Sequence, residues 1–184
     1  LEPIVNPVYS SAVFVVPKPH PPENATLQQQ FRMVVDMRGL NKAAKSSALP
    51  FPNLETQLQN VGCAKHFGTF DVLSGFDMLS CVESSRKYFA ISTPFGVYAM
   101  RGAPMGFKNS LPVYSDRMIR EVLGDLFQTN AAQWLDDTLL YAKCFPSYLA
   151  SLETFFQRLE AKDVRLNVKK CEIYTPKGQW CGRT

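Results

Sequence analysis

Three aspartates have both the residue type and the surroundings that metal-assisted chemistry needs. Asp71 lies within the largely apolar run at 69–73, and the pair Asp136-Asp137 lies within the run at 134–140. Adjacent ionised carboxylates in an apolar setting are costly unless a cation compensates them. Carboxylates at strand ends can hold two divalent ions about 3.5–4 Å apart, which is the arrangement that transfers nucleotidyl groups. A solvated β-turn is the alternative explanation of the Asp-Asp pair, and its apolar flanks argue against that.

The donor atoms indicate which metal to expect. Magnesium and manganese prefer oxygen ligands, whereas zinc sites are built largely from histidine and cysteine. The chain has two histidines, and its five cysteines form no Cys-x-x-Cys pair. The aspartates therefore favour Mg²⁺ or Mn²⁺ over structural zinc, and the odd cysteine count argues against a disulfide framework.

Composition predicts one compact unit, which could have two lobes. A chain of 184 residues with 46% hydrophobic content can bury a real core. The formal charge of +4 permits a polyanionic partner without requiring one. No apolar run approaches the roughly 20 residues that span a bilayer, and the first residues do not read as a signal peptide. We expect an intracellular protein, cytoplasmic or nuclear and not secreted.

Short runs of apolar, β-branched and aromatic residues predict the strands. Residues 12–16, which end at Pro17, and residues 31–36 are expected to form a β-hairpin with a Pro- and Gln-rich loop between them. This arm carries Lys18, Arg32, Arg38 and Lys42. Residues 133–141 are expected to form two strands with the Asp-Asp pair at their junction. Further strands are predicted at 66–71, 87–91, 97–100 and 172–174.

Helical spacing predicts three helices. Asn53 can cap the first, which ends at Gly62. The second is expected after Pro112, with Tyr114, Met118, Val122 and Leu126 repeating every four residues. Ser147 could cap the third, which bears Leu149, Leu152, Phe156 and Leu159. From residue 66 onward the order is strand, helix, paired strands, helix and strand, which fits an α+β fold with helices on one face of a sheet.

Five motifs in order resemble the reverse transcriptases of LTR retrotransposons, especially the gypsy-like group, and more distantly the retroviral enzymes. The resemblance covers nearly the whole chain, and motifs in this order and spacing are highly specific. They are Phe-Arg-Met-Val-Val-Asp-Met-Arg-Gly-Leu-Asn-Lys at 31–42, Phe-Asp-Val-Leu-Ser-Gly-Phe at 70–76, Pro-Met-Gly-Phe-Lys-Asn-Ser at 104–110, Trp-Leu-Asp-Asp at 134–137, and Leu-Asn-Val-Lys-Lys-Cys-Glu at 166–172.

The resemblance implies a polymerase fingers-palm fold. The palm would be a split βαβ-type antiparallel sheet with helices on one face, and the fingers would be a β-hairpin. It assigns residues 1–45 and 79–109 to the fingers and residues 46–78 and 110–184 to the palm. Nothing in the sequence matches a thumb, connection or RNase H segment.

The resemblance also assigns roles to individual residues. Asp71 and Asp136 would be the main ligands of two Mg²⁺ or Mn²⁺ ions, and Asp137 would support them. Arg32 and Lys18 would hold the incoming triphosphate. Phe76 would close the pocket against a ribose 2′-hydroxyl, and Met105 would pack beside the nascent base pair. Lys169 or Lys170 would donate a proton to the leaving pyrophosphate, although either could simply be part of a solvated basic face.

The implied activity is RNA-directed and DNA-directed DNA polymerisation. The implied partners are an RNA or DNA template with its primer, and deoxynucleoside triphosphates. Thumb or RNase H segments, or a second subunit, would be further partners. The implied setting is a retroelement particle. Trp134 departs from the usual tyrosine or phenylalanine of the hairpin motif. The alternatives are a domesticated reverse-transcriptase fold that binds nucleic acid or protein without catalysis, and an RNA-dependent RNA polymerase.

Overall fold

The computed structural model describes residues 1–19, 24, 26–49, 52–73, 75–177 and 180. Its strands are β1 Glu2–Pro3, β2 Ser10–Pro17, β3 Phe31–Val35, β4 His66–Asp71, β5 Ala90–Thr93, β6 Gly96–Ala99, β7 Ala131–Trp134, β8 Asp137–Ala142 and β9 Glu172–Thr175. Its α-helices are α1 Leu27–Gln30, α2 Arg38–Ala43, α3 Leu54–Val61, α4 Glu83–Arg86, α5 Ser110–Arg117 and α6 Phe145–Ala161. A π-helix, Met118–Leu123, follows α5, and 3₁₀ turns occupy Gly75–Met78, Gly124–Leu126 and Val168–Lys170. Ser74 and part of the 17–30 loop lie outside the described residues.

The chain divides into two compact units. The first comprises Leu1–Ser47 and Phe76–Ser110, and the second comprises Ala48–Gly75 and Leu111–Thr184. None of the helices in the described part of the chain is long and apolar enough to cross a membrane.

The first unit is built on a five-stranded sheet with the order β1-β6-β5-β2-β3. β2 and β3 form the predicted antiparallel hairpin, in which Val16 pairs with Arg32. The strand predicted at 87–91 begins only at Ala90, because the amides of Tyr88 and Phe89 bond back to the carbonyls of Ser85 and Arg86 at the end of α4. Those bonds leave residues 87–89 in a helical turn.

The second unit is built on an antiparallel four-stranded sheet with the order β7-β8-β4-β9. On one face Phe70 of β4 meets Phe155 of α6, with ring centroids 5.1 Å apart. On the other face Leu139 and Tyr141 of β8 form a buried cluster with Trp180, against which Leu54 and Leu58 of α3 pack. The predicted α+β architecture is confirmed.

Helix ends show where sequence rules succeed and fail. Asn53 caps α3 as predicted, since its side chain accepts hydrogen bonds from the amides of Glu55 and Thr56. Ser147 does not cap α6: the N-cap is Cys144, and Ser147 lies inside the first turn. Pro146 explains the earlier start, because proline has no N–H to satisfy and is favoured in a first turn.

The helix predicted after Pro112 also differs in detail. It starts at Ser110, so Pro112 lies in its first turn, and the α-helical geometry changes to π-helical at Met118. Arg158 contributes to its end, since its Nη1 donates a 2.5 Å hydrogen bond to the Leu123 carbonyl. The buried spacing of Tyr114, Met118 and Val122 is nevertheless as predicted.

Candidate active site

Strand register brings Asp71 and Asp137 face to face. Asp71 is the last residue of β4, Asp137 is the first residue of β8, and the two are direct partners in the antiparallel pairing. Residues opposed in this way lie on the same face of the sheet with their Cβ atoms about 4.5–5.5 Å apart. Two carboxylates separated in the sequence by α5 and the π-helix therefore share one end of the sheet.

Asp136 lies in the tight turn between β7 and β8. Trp134 pairs with Asp137 across the hairpin, so only Leu135 and Asp136 form the loop. Leu135 has a φ of 57°, a left-handed conformation that the favoured two-residue hairpin turns have at their first central position. Leucine rarely adopts this conformation. The turn holds Asp136 beside the Asp71–Asp137 pair at the cost of local strain.

The three carboxylates act on one another electrostatically. The pKa of Asp137 is raised, first by burial and then by the charges of Asp136 and Asp71. Burial, followed by the charges of all three aspartates, also raises the pKa of Tyr114. Like charges gathered in a partly desolvated place disfavour ionisation unless a cation is present.

Lys170 supplies a cation at this site. Its Nζ donates a 2.9 Å hydrogen bond to Oδ2 of Asp71. The next residue, Cys171, contacts the backbone of the same aspartate, since its Sγ accepts a hydrogen bond from the Asp71 amide at 3.4 Å. The Asp71 carbonyl accepts a further hydrogen bond from the Asn167 amide at 2.9 Å. The segment around the Val168–Lys170 turn thus positions both the backbone and the side chain of Asp71.

The donor chemistry of the cluster fits a hard divalent cation. Its three aspartates offer only oxygen, which suits Mg²⁺ or Mn²⁺. Over the described ranges, however, no three acidic, His or Cys side chains lie close enough together to hold a metal ion as they stand. The ligands are therefore present at one end of the sheet but are not closed around a common point, and Asp71 is engaged by Lys170.

The four residues predicted to bind the nucleotide belong to the first unit. Arg32 lies in β3, and Lys18 directly follows β2, with its amide bonded to the Gln30 carbonyl at 2.7 Å. Both lie on the β2–β3 hairpin. Phe76 lies in the 3₁₀ turn Gly75–Met78 and is half-buried, and Met105 is 72% exposed. The nucleotide-binding roles of these four residues stay predictions.

Two contacts at the site were not predicted from the sequence, although Lys170 itself was named there as a candidate proton donor. Tyr114 was assigned only to the core, yet its ring lies so close to Gly75 that a Cβ there would be 2.6 Å from the ring. The glycine within the Asp71 motif, four residues after the aspartate, was the available signal for this close approach. The contact between Lys170 and Asp71 left no local signal, because the two residues are 99 positions apart.

Known protein families and structures match both units. The family described as reverse transcriptase (RNA-dependent DNA polymerase) matches residues 16–184. A Retrovirus-related Pol polyprotein from transposon 297 of Drosophila melanogaster is 28% identical over 177 residues, which are 96% of this chain and 16% of that protein. A putative enzymatic polyprotein of Cassava vein mosaic virus is 29% identical over 95% of this chain and 26% of its own length.

Solved structures agree on the fold. The foamy viral protease-reverse transcriptase dRH in complex with ds DNA has a TM-score of 0.82 and 21% identity, over 96% of this chain and 29% of that one. The native prototype foamy virus protease-reverse transcriptase has a TM-score of 0.80 and 24% identity, over 93% of this chain and 21% of that one. The fold is thus the fingers-palm fold of polymerases.

The chain belongs to the reverse transcriptase family. Its similarity to Pol polyproteins of the Drosophila transposons 297, opus and 412 confirms the resemblance to LTR retrotransposons. Reverse transcriptases generally depend on divalent metal ions.

Proposed function

We propose that this chain is an RNA-directed DNA polymerase that also copies DNA, and that it extends a primer by two-metal transfer of deoxynucleotides. The observation that carries the proposal is the meeting of Asp71, Asp136 and Asp137 at one end of the four-stranded sheet. Membership of the reverse transcriptase family supports the reaction.

Asp71 and Asp136 would be the main ligands of two Mg²⁺ or Mn²⁺ ions, with Asp137 in support. When bound, the ions activate the attacking hydroxyl and stabilise the charge that develops on the phosphate. The chain's own part is to hold the carboxylates: the β4–β8 register fixes Asp71 opposite Asp137, and the two-residue turn fixes Asp136. Burial raises the pKa of Asp137 and so disfavours its ionised form, a cost that a bound cation would offset.

The β2–β3 hairpin would hold the triphosphate of the incoming nucleotide. Arg32 suits phosphate because a guanidinium binds two oxygens in one plane, whereas Lys18 acts as a point charge. The two side chains belong to one hairpin. Its strand pairing supports their joint use.

Sugar and base contacts are assigned to two apolar residues. Phe76 would exclude a ribose 2′-hydroxyl, which favours deoxynucleotides over the ribonucleotides of an RNA polymerase. Met105 would pack beside the nascent base pair, and its exposure of 72% leaves it free to do so. A flexible thioether fills such a surface without reading sequence.

The two compact units support the proposed division into fingers and palm. The bounds of the first unit, 1–47 and 76–110, nearly coincide with those of the proposed fingers, 1–45 and 79–109. The bounds of the second unit nearly coincide with those of the proposed palm, 46–78 and 110–184. The chain spans 16% of the transposon 297 polyprotein and 17% of the transposon opus polyprotein. The activity proposed here is therefore that of the polymerase segment and not that of a whole polyprotein.

Template and primer are proposed as the nucleic-acid partners. Related structures carry an RNA/DNA hybrid or dsDNA. In this chain basic residues would bind phosphates, and base pairing would read the sequence, so binding should weaken with salt and tolerate any sequence.

The intracellular setting of a retroelement particle is part of the same proposal. Four described cysteines are free, which is compatible with a reducing compartment.

Templated incorporation tests the proposal. A labelled primer is annealed to an RNA template and, separately, to the same sequence as DNA, and each of the four deoxynucleotides is supplied alone with Mg²⁺ or Mn²⁺. We expect only the complementary nucleotide to be added, on both templates, and chelation to stop the addition. Tight primer-template binding without any addition, in either metal, would contradict the polymerase and favour a domesticated binding fold.

A further inference from the structure

Lys170 holds a positive charge against one of the proposed metal ligands. Its Nζ lies 2.9 Å from Oδ2 of Asp71. The Asp71 side chain is 14% exposed and that of Lys170 is 65% exposed, so the lysine reaches a sheltered carboxylate from solvent. The ammonium group stands where the three carboxylates favour a cation.

The backbone of Asp71 is held separately from its side chain. The Asn167 amide bonds to the Asp71 carbonyl, and the Asp71 amide bonds to the sulfur of Cys171. Asp71 is also in register with β8. Loss of the lysine contact would leave these backbone hydrogen bonds of Asp71 available to hold it. A lysine suits such an exchange, because its ammonium is a strongly hydrated point charge on a flexible stem.

We propose that Lys170 occupies the cation position beside Asp71 until a divalent ion displaces it, so that Lys170 sets the affinity of the site for its metal. This inference rests on the proposed metal site but not on polymerisation. It accounts for a cluster whose donors are all oxygen and yet are not closed around one point, since one oxygen of Asp71 is already engaged.

Lys169 provides a matched control on the same turn. It precedes Lys170 in the 3₁₀ segment Val168–Lys170 and is exposed. Within the described part of the chain, no hydrogen bond or ion pair involves its side chain. A change at Lys169 removes the same charge from the same segment without removing a contact to Asp71.

Metal affinity of the chain alone is the first test. Free Mn²⁺ is measured by electron paramagnetic resonance during titration of the wild type, Lys170→Met, Lys170→Gln, Lys170→Arg and Lys169→Met, with no nucleotide or nucleic acid present. We expect Lys170→Met and Lys170→Gln to tighten Mn²⁺ binding at least fivefold more than Lys169→Met does, and Lys170→Arg to stay near the wild type. Equal shifts at the two positions would show a general charge effect and overturn the inference.

Amine labelling of the wild type is the second test and needs no variant. Acylation of each lysine is quantified by mass spectrometry with and without millimolar Mg²⁺. Displacement predicts that Lys170 becomes at least threefold more reactive with the metal present, while Lys169 does not change. If Lys170 reactivity stays constant at a concentration where Mn²⁺ or Mg²⁺ is shown to bind, the lysine is not displaced and the inference is wrong. Neither test needs incorporation, so a failed polymerase and a failed inference give different results.

Discussion

Asp71 pairs directly with Asp137 across β4 and β8. One is the last residue of its strand and the other the first, so a shift in register by one residue would place the two side chains on opposite faces of the sheet. The backbone ladder therefore maintains the carboxylate cluster, together with the two-residue turn that presents Asp136.

Substitution of the proposed sugar gate should relax discrimination. Phe76→Val shortens the side chain proposed to meet the 2′-hydroxyl, so we expect the preference for deoxynucleotides over ribonucleotides to fall by roughly tenfold or more. The ratio of kcat/KM for the two sugars measures this. Phe95→Val is the control, since Phe95 is 89% exposed at the tip of the β5–β6 hairpin. An unchanged ratio in Phe76→Val would remove the gate assignment.

Loss of the hairpin arginine should weaken nucleotide use. Hydrogen bonds to charged groups contribute about 1.5–3 kcal/mol, so Arg32→Ala should reduce kcat/KM for deoxynucleotides by roughly tenfold to a hundredfold. Arg32→Lys should recover only part of it, because a lysine cannot bind two phosphate oxygens in one plane. Arg38→Ala is the control, and single-turnover kinetics compare it with the two variants at position 32. Equal effects at positions 32 and 38 would argue against a specific phosphate contact.

A glycine in β4 should not tolerate a side chain. A Cβ on Gly68 would lie against the Tyr148 hydroxyl and 2.7 Å from the Ile173 carbonyl oxygen, between α6 and β9. We expect Gly68→Ala to lower the free energy of unfolding by about 1–3 kcal/mol. Gly62→Ala is the matched control, because its Cβ would meet nothing closer than 3.4 Å. Denaturant midpoints compare the two, and equal stability would show that the strand relaxes at no cost.

The Asp36–Arg38 pair should be sensitive only to strong acid. Hydrogen bonds from the side chain and then the backbone amide of Arg38 lower the pKa of Asp36 to about 2. A depressed pKa in the folded state stabilises the fold above the ordinary value of 3.8, and this contribution is lost as the pH falls towards 2. The Arg38 side chain is 85% exposed, so solvent screens the pair and the effect is small. NMR titration should show the Asp36 pKa rising in Arg38→Ala, and an unchanged pKa would contradict the pairing.

Local sequence rules predicted much of the fold and the strands that carry the aspartates of the site. Asn53 identified the start of α3, and the apolar runs around Asp71 and Asp136 identified strands whose ends meet. Local rules cannot give contacts between distant segments. The approach of Lys170 to Asp71 depends on how the chain after α6 returns along β4.

Competition between local signals explains the errors in helix boundaries. Both Ser147 and Pro146 indicate a first turn, and the proline determined the start of α6. The change from α- to π-helix at Met118 has no signature in a four-residue repeat, because both geometries keep Met118 and Val122 buried.

The rate of single-nucleotide incorporation by Asp136→Asn, compared with Asp163→Asn, tests the central claim most directly. Both variants lose one carboxylate from the second unit, but Asp163 is 87% exposed and pairs only loosely with Arg165, at 3.7 Å. Metal ions contribute several kcal/mol to the stabilisation of such a transition state, so Asp136→Asn should lose roughly a thousandfold or more in rate while Asp163→Asn keeps the wild-type rate. Equal rates in the two variants, with both folded, would contradict catalysis by the Asp71, Asp136 and Asp137 cluster.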